Sequence, residues 1–562
     1  MIHLFFANRP GPWSLPATAL LSPLLLGLLL GLSLLWPMPC RATEPASASF
    51  VGIDLTHMTY YPEKGITETG VRQEIGKVIA AHGRIIDFAT VQDVASRITA
   101  IYRGAGFVFT RAYVPQQRST NGWVEVRLME GWLSSIDIID NQRYSEAVLA
   151  RPFADLRDKI VYGPELEEAM ALLNDYPGLN AFGFYSVGEE PGSTRLNVRV
   201  QRERDWTGSL HADNYGAELT GRMRLLAEME KFNPTDNADH LRVSVLHTFD
   251  PENATYGLLD YEIPIIDKRS QLTLRASTDT FVVSRGGGAS QQFELSGKAY
   301  STQAEYTRQI QRSNTANRSW HVGIRRDVST SQLKNIDSTD LDQKSWETYV
   351  GFDLDHLDRK RGNWYGAGAD IVAGQYDAID VPGQGLEYHF ARGFAAYTQG
   401  IALGETTHQA KFTLDWQYTH DLLPAISQYA LTGPTRLRGF LPDDFSADTG
   451  VVGTATWVFP QWALTAKTLT TGKSAEKKSD MKPDVTMSLF AEYGYGVQNV
   501  PSAGFSNNWG YLSDAGAAWL FTLGPDLSAT VTVAMPLSHR ISYEDNVSTA
   551  TRAWIELLWR FH

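Results

Sequence analysis

The stretch Val485-Thr486-Met487-Ser488-Leu489-Phe490-Ala491-Glu492-Tyr493-Gly494-Tyr495-Gly496-Val497 decides the fold. Side chains of a strand alternate with a period of two. Val485, Met487, Leu489, Ala491, Tyr493, Tyr495 and Val497 therefore share one face, and Thr486, Ser488, Phe490, Glu492, Gly494 and Gly496 the other. An apolar face backed by a carboxylate suits the wall of a membrane barrel, with Glu492 turned into the lumen. A carboxylate there needs a partner. The turn-rich Leu437-Arg438-Gly439-Phe440 supplies one, because a guanidinium is a planar fork matched to a carboxylate. The pairing requires a loop around 424–450 to fold inward. The competing reading is a plain surface Arg and an unrelated lumen Glu, a pair of little energetic weight.

The same texture runs outward from this strand. From Trp206 helical periodicity gives way to runs of about ten alternating residues. Trp206, Gly208, Leu210 and Ala212 oppose Thr207, Ser209, His211 and Asp213; Met223, Leu225, Ala227 and Met229 oppose Arg222, Arg224, Glu228 and Glu230. Leu241, Val243 and Val245 oppose Arg242 and Ser244, and Leu527, Ala529, Val531, Val533 and Met535 oppose Ser528, Thr530 and Thr532. The final run sets Ala553, Ile555, Leu557, Trp559 and Phe561 against Trp554, Glu556, Leu558 and Arg560. A soluble β-sandwich alternates in the same way. The charged opposing faces and an export segment favour the membrane. Residues 206–562 accommodate about sixteen antiparallel strands at roughly 22 residues per strand and connection. Polar breaks at Ser284–Ser290 and Gly472–Pro483 read as loops.

The export segment is residues 1–42. Ala17 to Trp36 is Leu-rich and uncharged, Arg9 gives a weakly basic start, and Cys40-Arg41-Ala42 places small residues where a signal peptidase reads. An uncleaved anchor is the alternative, since the run approaches spanning length. Lipidation of Cys40 is disfavoured by Pro37-Met38-Pro39. Cys40 is the only cysteine, so a cleaved chain has no disulfide, thiolate metal site or Cys nucleophile. No later run reaches the length of a membrane helix, and only a closed barrel then spans a membrane. The formal net charge of −13 over 562 residues argues against generic nucleic-acid binding.

Between export segment and barrel, after a short segment at 43–49, lie two α+β modules, 50–132 and 133–205. In the first, helices near Thr67–Ala81 and Ala89–Arg103 present Val71, Ile75, Val78 and Ile79, and then Val91, Val94, Ile98 and Ile101. Phe107–Val114 and Trp123–Met129 read as strands around a tight Asn121-Gly122 turn. In the second, a helix carries Leu166, Met170, Leu172 and Leu173, and a last strand carries Leu196, Val198 and Val200. Such a sheet with a free edge accepts an extended peptide, or the modules are plain spacers.

In order along the chain, these segments resemble the two-partner secretion transporters of Gram-negative outer membranes, the TpsB family. Its loop tip V-R-G-[YF] appears as Leu437, Arg438, Gly439 and Phe440, and its F-x-D-x-G strand as Phe490, Glu492 and Gly494. Tyr113-Val114-Pro115-Gln116-Gln117 with Gly122 and Gly131 resembles the first POTRA module; Asn174, Asp175, Pro177 and Gly178 resemble the second. Asp213, Asn214 and Gly216 resemble the family's first hairpin, and Trp559 and Phe561 its insertion signal, with His562 as a departure.

The resemblance implies two periplasmic POTRA modules and a 16-stranded pore that exports a large secreted partner of the TpsA type, recognised through its N-terminal secretion segment. It implies contact with outer-membrane lipid and the barrel-assembly machinery, no cofactor, and a latch of Arg438 on Glu492. Residues 43–49 are too short for the plug helix of many members, so either no plug or a loop plug is expected. Two alternatives stand: a barrel-assembly factor, disfavoured by only two modules, and a passive porin or adhesin, which leaves the modules unexplained.

Catalytic constellations are not apparent. Thr471-Gly472-Lys473-Ser474 lacks the earlier glycine of a phosphate-binding loop, Lys467 standing in its place. There is no G-x-S-x-G, and the 13 His show no zinc-site spacing. Asp443-Asp444 reads as solvated loop acids. No enzymatic activity or metal site is expected.

Overall fold

The computed structural model describes residues 49–119, 121–249, 253–285, 293–334, 341–377, 386–442, 444–463, 484–499, 507–542 and 549–562. The export segment 1–42, residues 43–48, Asp443, the Thr471–Ser474 stretch and the Gly472–Pro483 loop lie outside the described residues. Residues up to Gly131 form one unit and Trp132–His562 another, and each is described by itself.

In the first unit, helices α1 (Glu68–Ala81) and α2 (Phe88–Gly104) start on side-chain caps. The Thr67 hydroxyl accepts from the Gly70 amide at 3.1 Å and the Asp87 carboxylate from the Thr90 amide at 2.8 Å, each satisfying a donor with no intrahelical partner. Val71, Ile75, Val91, Val94 and Ile98 are buried with Tyr102 and Val126. The expected strand at Phe107–Val114 is shorter: only Arg111–Tyr113 pairs, because Phe107 is drawn into the core against Tyr61 and the chain turns, the Thr110 amide donating to the Phe107 carbonyl. The run Trp123–Met129 is divided at Val126. Trp123–Glu125 pairs parallel with Gly52–Asp54, and Arg127–Met129 antiparallel with Arg111–Tyr113. Asn121-Gly122, with φ of 55° and 79°, therefore closes no tight hairpin between paired neighbours but turns the chain into the parallel strand.

The second unit opens with a three-stranded sheet, Trp132–Ile139, Ser193–Glu203 and Leu179–Val187 in spatial order. Helices α3 (Glu146–Ala150) and α4 (Gly163–Asn174) accompany it. Leu149, Phe153, Ala169, Leu173, Leu196 and Val198 form its buried core.

The chain then runs into a closed antiparallel barrel of 16 strands. They are β1 (Trp206–Asp213), β2 (Met223–Phe232), β3 (His240–Phe249), β4 (Ala254–Pro264), β5 (Ser270–Arg285), β6 (Phe293–Arg312), β7 (Ala316–Lys334) and β8 (Leu341–Asp358), followed by β9 (Asn363–Tyr376), β10 (Glu387–Leu403), β11 (Thr406–Tyr418), β12 (Thr449–Val458), β13 (Asp484–Gln498), β14 (Asn508–Leu523), β15 (Leu527–Ile541) and β16 (Arg552–Phe561). Trp462–Ala463 continues β12 along the same partner, β13. β16 closes on β1, with Phe561 opposite Gly208 and Glu556 opposite Asp213. Strands β5 to β8 hold 16 to 20 residues, well past the ten expected, because they continue beyond the apolar band. Ser284 accordingly lies within β5, which ends at Arg285, rather than opening a loop, and 286–290 lie outside the described residues.

Two observations separate this barrel from a soluble sandwich. Leu225, Met229, Val243, Val245, Phe412 and Leu557 are exposed on its outside, an apolar girdle that water would not tolerate. The inside holds paired charges, such as Arg224 on Asp213 at 2.7 Å and Arg275 on Asp260 at 2.8 Å. Among the described residues no helix is long and apolar enough to cross a membrane.

Candidate functional site

The described residues of the 419–448 connection, between β11 and β12, enter the lumen and contact its wall. The two limbs of this loop pair briefly, Tyr429–Ala430 against Ser446–Ala447. Tyr429, Leu431, Leu437, Phe440, Phe445 and Ala447 are buried with Val452, Leu512 and Ile541 of the wall. A loop with so much apolar burial is a packed element. Leu437 holds φ at 46°, a left-handed conformation a leucine seldom adopts, and its fully buried side chain offsets the strain.

At the tip, Arg438 meets Glu492 through three donors. Nε donates to Oε2 at 3.1 Å, Nη2 to Oε1 at 3.1 Å, and the Arg438 amide to Oε2 at 2.8 Å. Thr454, directly across from Glu492 on β12, adds its hydroxyl to Oε1 at 3.0 Å. The guanidinium carbon lies 3.4 Å from the centre of the Phe490 ring. The Glu492 side chain is wholly shielded from solvent. A carboxylate in that setting is tolerated because each oxygen accepts charge-assisted bonds.

A second carboxylate completes the site. Asp514, the cross-strand partner of Glu492 on β14, accepts the Gly439 amide at 2.6 Å. A bulge at Ser513/Asp514 sets its direction. Gly439 is pressed against the wall: a Cβ there would stand 2.9 Å from Asp514 Cβ and 2.9 Å from the Pro536 nitrogen. From β16, the Trp554 indole donates to the Arg438 carbonyl at 2.7 Å.

Sequence reasoning misses Asp514 and Trp554, although a signal for Asp514 exists. Leu512-x-Asp514-x-Gly516 repeats the spacing of Phe490-x-Glu492-x-Gly494, and the two pair antiparallel so that each bulky residue faces the other strand's glycine. Trp554 carries no signal beyond an inward position on an alternating strand.

The structure brings Leu437, Arg438, Gly439, Phe440, Phe490, Glu492 and Gly494 together, the last within reach of the Leu437 side chain. Asp213, Asn214 and Gly216 lie at the seam. Asp213 is paired with Arg224, and the Asn214 side chain continues the strand pairing to Ala553 and Ile555. Gly216 sits so close to the Gly221 carbonyl that only glycine fits. Trp559 is on the outer face, and Phe561 packs over Gly208. The module residues lie elsewhere. Pro115, Gln116 and Gly122 lie in the connection before Trp123, where the neighbouring Gln117 side chain bonds both backbone groups of Glu125 at 2.8 Å. Gly131 stands against Phe109. Asn174 bonds both backbone groups of Ala181, the Pro177 carbonyl accepts the Tyr144 hydroxyl, and Gly178 holds φ at 69°. Asp175 reaches a barrel arginine. Among the described residues no cluster suited to a metal ion occurs.

The site can therefore hold a folded loop across a pore; its groups are engaged with one another. Comparisons with known proteins agree with that geometry. The family described as haemolysin secretion/activation protein ShlB/FhaC/HecB matches residues 192–471, and the ShlB-type POTRA domain matches residues 65–131. The heme/hemopexin transporter protein HuxB of Haemophilus influenzae is 24% identical over 194 residues, which is 34% of each chain, so the match spans about a third of that relative's length. In fold, the chain is similar to CdiB from Escherichia coli, with a TM-score of 0.72 at 16% identity over 94% of this chain and 93% of that one. CdiB from Acinetobacter baumannii gives 0.65 at 14% identity over 92% and 91%. With its ShlB-type POTRA segment, its 16-stranded barrel and its inward loop, the chain belongs to the ShlB/FhaC/HecB family of two-partner secretion transporters, outer-membrane barrels with periplasmic POTRA modules.

Proposed function

We propose that this protein captures a large secreted partner through its POTRA modules and exports it in extended form through the barrel, with the lumen loop as the gate. The observation that carries the reading is the Arg438 tip, fastened inside a closed barrel to Glu492, Asp514 and Trp554 rather than lying at the rim. A passive porin leaves the ShlB-type POTRA segment unexplained. The partner is recognised by its N-terminal secretion segment, and its folding outside the cell supplies the driving force. The module motifs at Pro115–Gln116 and Asn174–Gly178 shape the periplasmic receptor, and Trp559 and Phe561 present the strand that the barrel-assembly machinery reads.

The test is export of a candidate partner in cells carrying wild type, Arg438→Ala or Glu492→Ala, with barrel insertion followed by heat-modifiable gel mobility. Normal insertion with the partner retained in the periplasm is the expected result. Export at the wild-type rate in both variants removes the gate from the reading. Depletion of the protein separates the alternatives: loss of one exoprotein supports a secretion pore, and loss of many barrels an assembly factor.

A further inference from the structure

The lumen loop is attached to the wall in a second place, far from its tip. Ser427, on the entering limb, donates its hydroxyl to Glu347 Oε1 of β8. The same carboxylate accepts the Tyr388 hydroxyl of β10 at 2.9 Å, and its other oxygen lies 3.2 Å from Arg325 Nη2 of β7. Arg325 is held in turn by Asp327 at 2.7 Å and reaches the Ser427 oxygen at 3.4 Å. Four residues before Ser427, Leu423 is buried among Tyr349, Val372, Tyr376, Tyr388 and Phe390, all wall residues of β8 to β10. The Gln417 side chain ties the Ser427 carbonyl to that of Asp448, joining the two limbs.

The position of this second attachment gives it meaning. In the ring of 16 strands, β7 and β8 lie seven and six strands from β14, where the tip docks on Asp514. Eight would be diametrically opposite. The loop is thus fixed to nearly facing walls. Glu347 and Arg325 are both almost fully shielded from solvent, so their pairing does not depend on a screened surface contact.

We propose that Ser427, with the Glu347–Arg325 pair, is a second and independent latch, so that the loop is a strut across the lumen and release of the Arg438 tip alone does not clear the pore. Ser427 and Glu347 are positioning residues that act through the loop. The proposal rests on the gated-pore reading, and it specifies what must be released for the gate to open. The two anchors share no partner, so their losses add in free energy; conductance nevertheless rises steeply only when both are gone, because either alone keeps the loop across the channel.

The experiment is single-channel conductance of the full-length protein in planar bilayers, after heat-modifiable mobility has verified a folded barrel. The variants are Arg438→Ala, Ser427→Ala and the double variants Arg438→Ala/Ser427→Ala and Arg438→Ala/Ser427→Thr. Ser427→Ala leaves the buried ion pair intact and is the variant least able to unfold the barrel. Expected are near-wild-type conductance for each single alanine variant, a several-fold rise for the double variant, and return towards the low value when Ser427→Thr restores the hydroxyl beside Arg438→Ala. Full opening by Arg438→Ala alone overturns the proposal, as does a double variant no more conductive than Arg438→Ala. Conductance is read without any exported partner, so failure of the strut is distinguishable from failure of the secretion reading, which export assays address.

Discussion

The Trp554 indole donates to the Arg438 carbonyl at 2.7 Å, while Tyr215 stands edge-on to the same indole with ring centroids 6.0 Å apart. The loop tip is thereby fastened to the last strand, and the last strand to the segment that follows the first. Trp554→Phe keeps the ring contact and removes the donor, at a cost of about 1 kcal/mol. Amide exchange at Arg438 and Gly439 is expected to quicken several-fold while the barrel keeps its heat-modifiable mobility. Exchange unchanged from wild type would show that the indole bond does not hold the tip.

Gly439→Ala attacks the same contact from the other side. The added methyl meets backbone of β15 as well as Asp514, and neither can withdraw without breaking strand pairing. Overpacking of this kind costs about 1–3 kcal/mol. The tip is expected to lift, with loss of exchange protection over 437–440 and a lower temperature for the heat-induced mobility shift. Wild-type protection in this variant would mean that loop and wall approach each other less closely than 2.9 Å contacts require.

Arg438→Lys tests chemistry rather than space. Lysine preserves the charge, but it cannot supply two parallel donors and stacks less well on Phe490. Leaving Glu492 with no cation costs roughly 3–5 kcal/mol. Arg438→Ala is expected to lower the mobility-shift temperature most, and Arg438→Lys to recover less than half of the difference. Full recovery by lysine would reduce the contact to simple charge neutralisation.

Strand alternation is written residue by residue, which is why the lipid and lumen faces of β13 and β16 are legible in the amino-acid sequence. The Arg438 tip is legible for a different reason, a short motif whose inward carboxylate demands a cation. What stays hidden depends on register. Asp514 becomes a partner of Gly439 only once β13 and β14 are aligned and bulged, and Ser427 gains meaning only when β7 and β8 face β14 across a closed ring. The division of Trp123–Met129 is equally invisible, because both halves are good strands and only their different neighbours separate them.

Within the Asn174–Gly178 stretch, Asp175 is where the three-stranded sheet segment ahead of β1 sits on the barrel. Arg312 grips Asp175 with two bonds of 2.7 Å, Lys268 pairs with Asp155 at 2.7 Å and Arg269 with Glu168 at 2.6 Å. The Asp236 carboxylate of the β2–β3 turn accepts the Ser145 amide at 3.1 Å. Exposed pairs contribute at most about 1 kcal/mol each, so the seat holds by their joint action and is weakened by salt. The Ser145 amide holds the Asp236 carboxyl below its usual range; at Asp155 burial pushes upward, but the Lys268 ammonium outweighs it. Depressed values mean stabilisation that is complete above the ordinary carboxylate pKa and lost as pH falls through the lowered one. Spin labels at Arg157→Cys and Lys360→Cys are expected to give a narrow distance distribution at neutral pH that broadens in Asp175→Arg, at high salt and below about pH 4. The exchanged pair Asp175→Arg/Arg312→Asp is expected to narrow it again. A distribution equally narrow in Asp175→Arg would show that the Arg312 pair is dispensable to the seat, and that the acidic residue of the motif serves some other purpose.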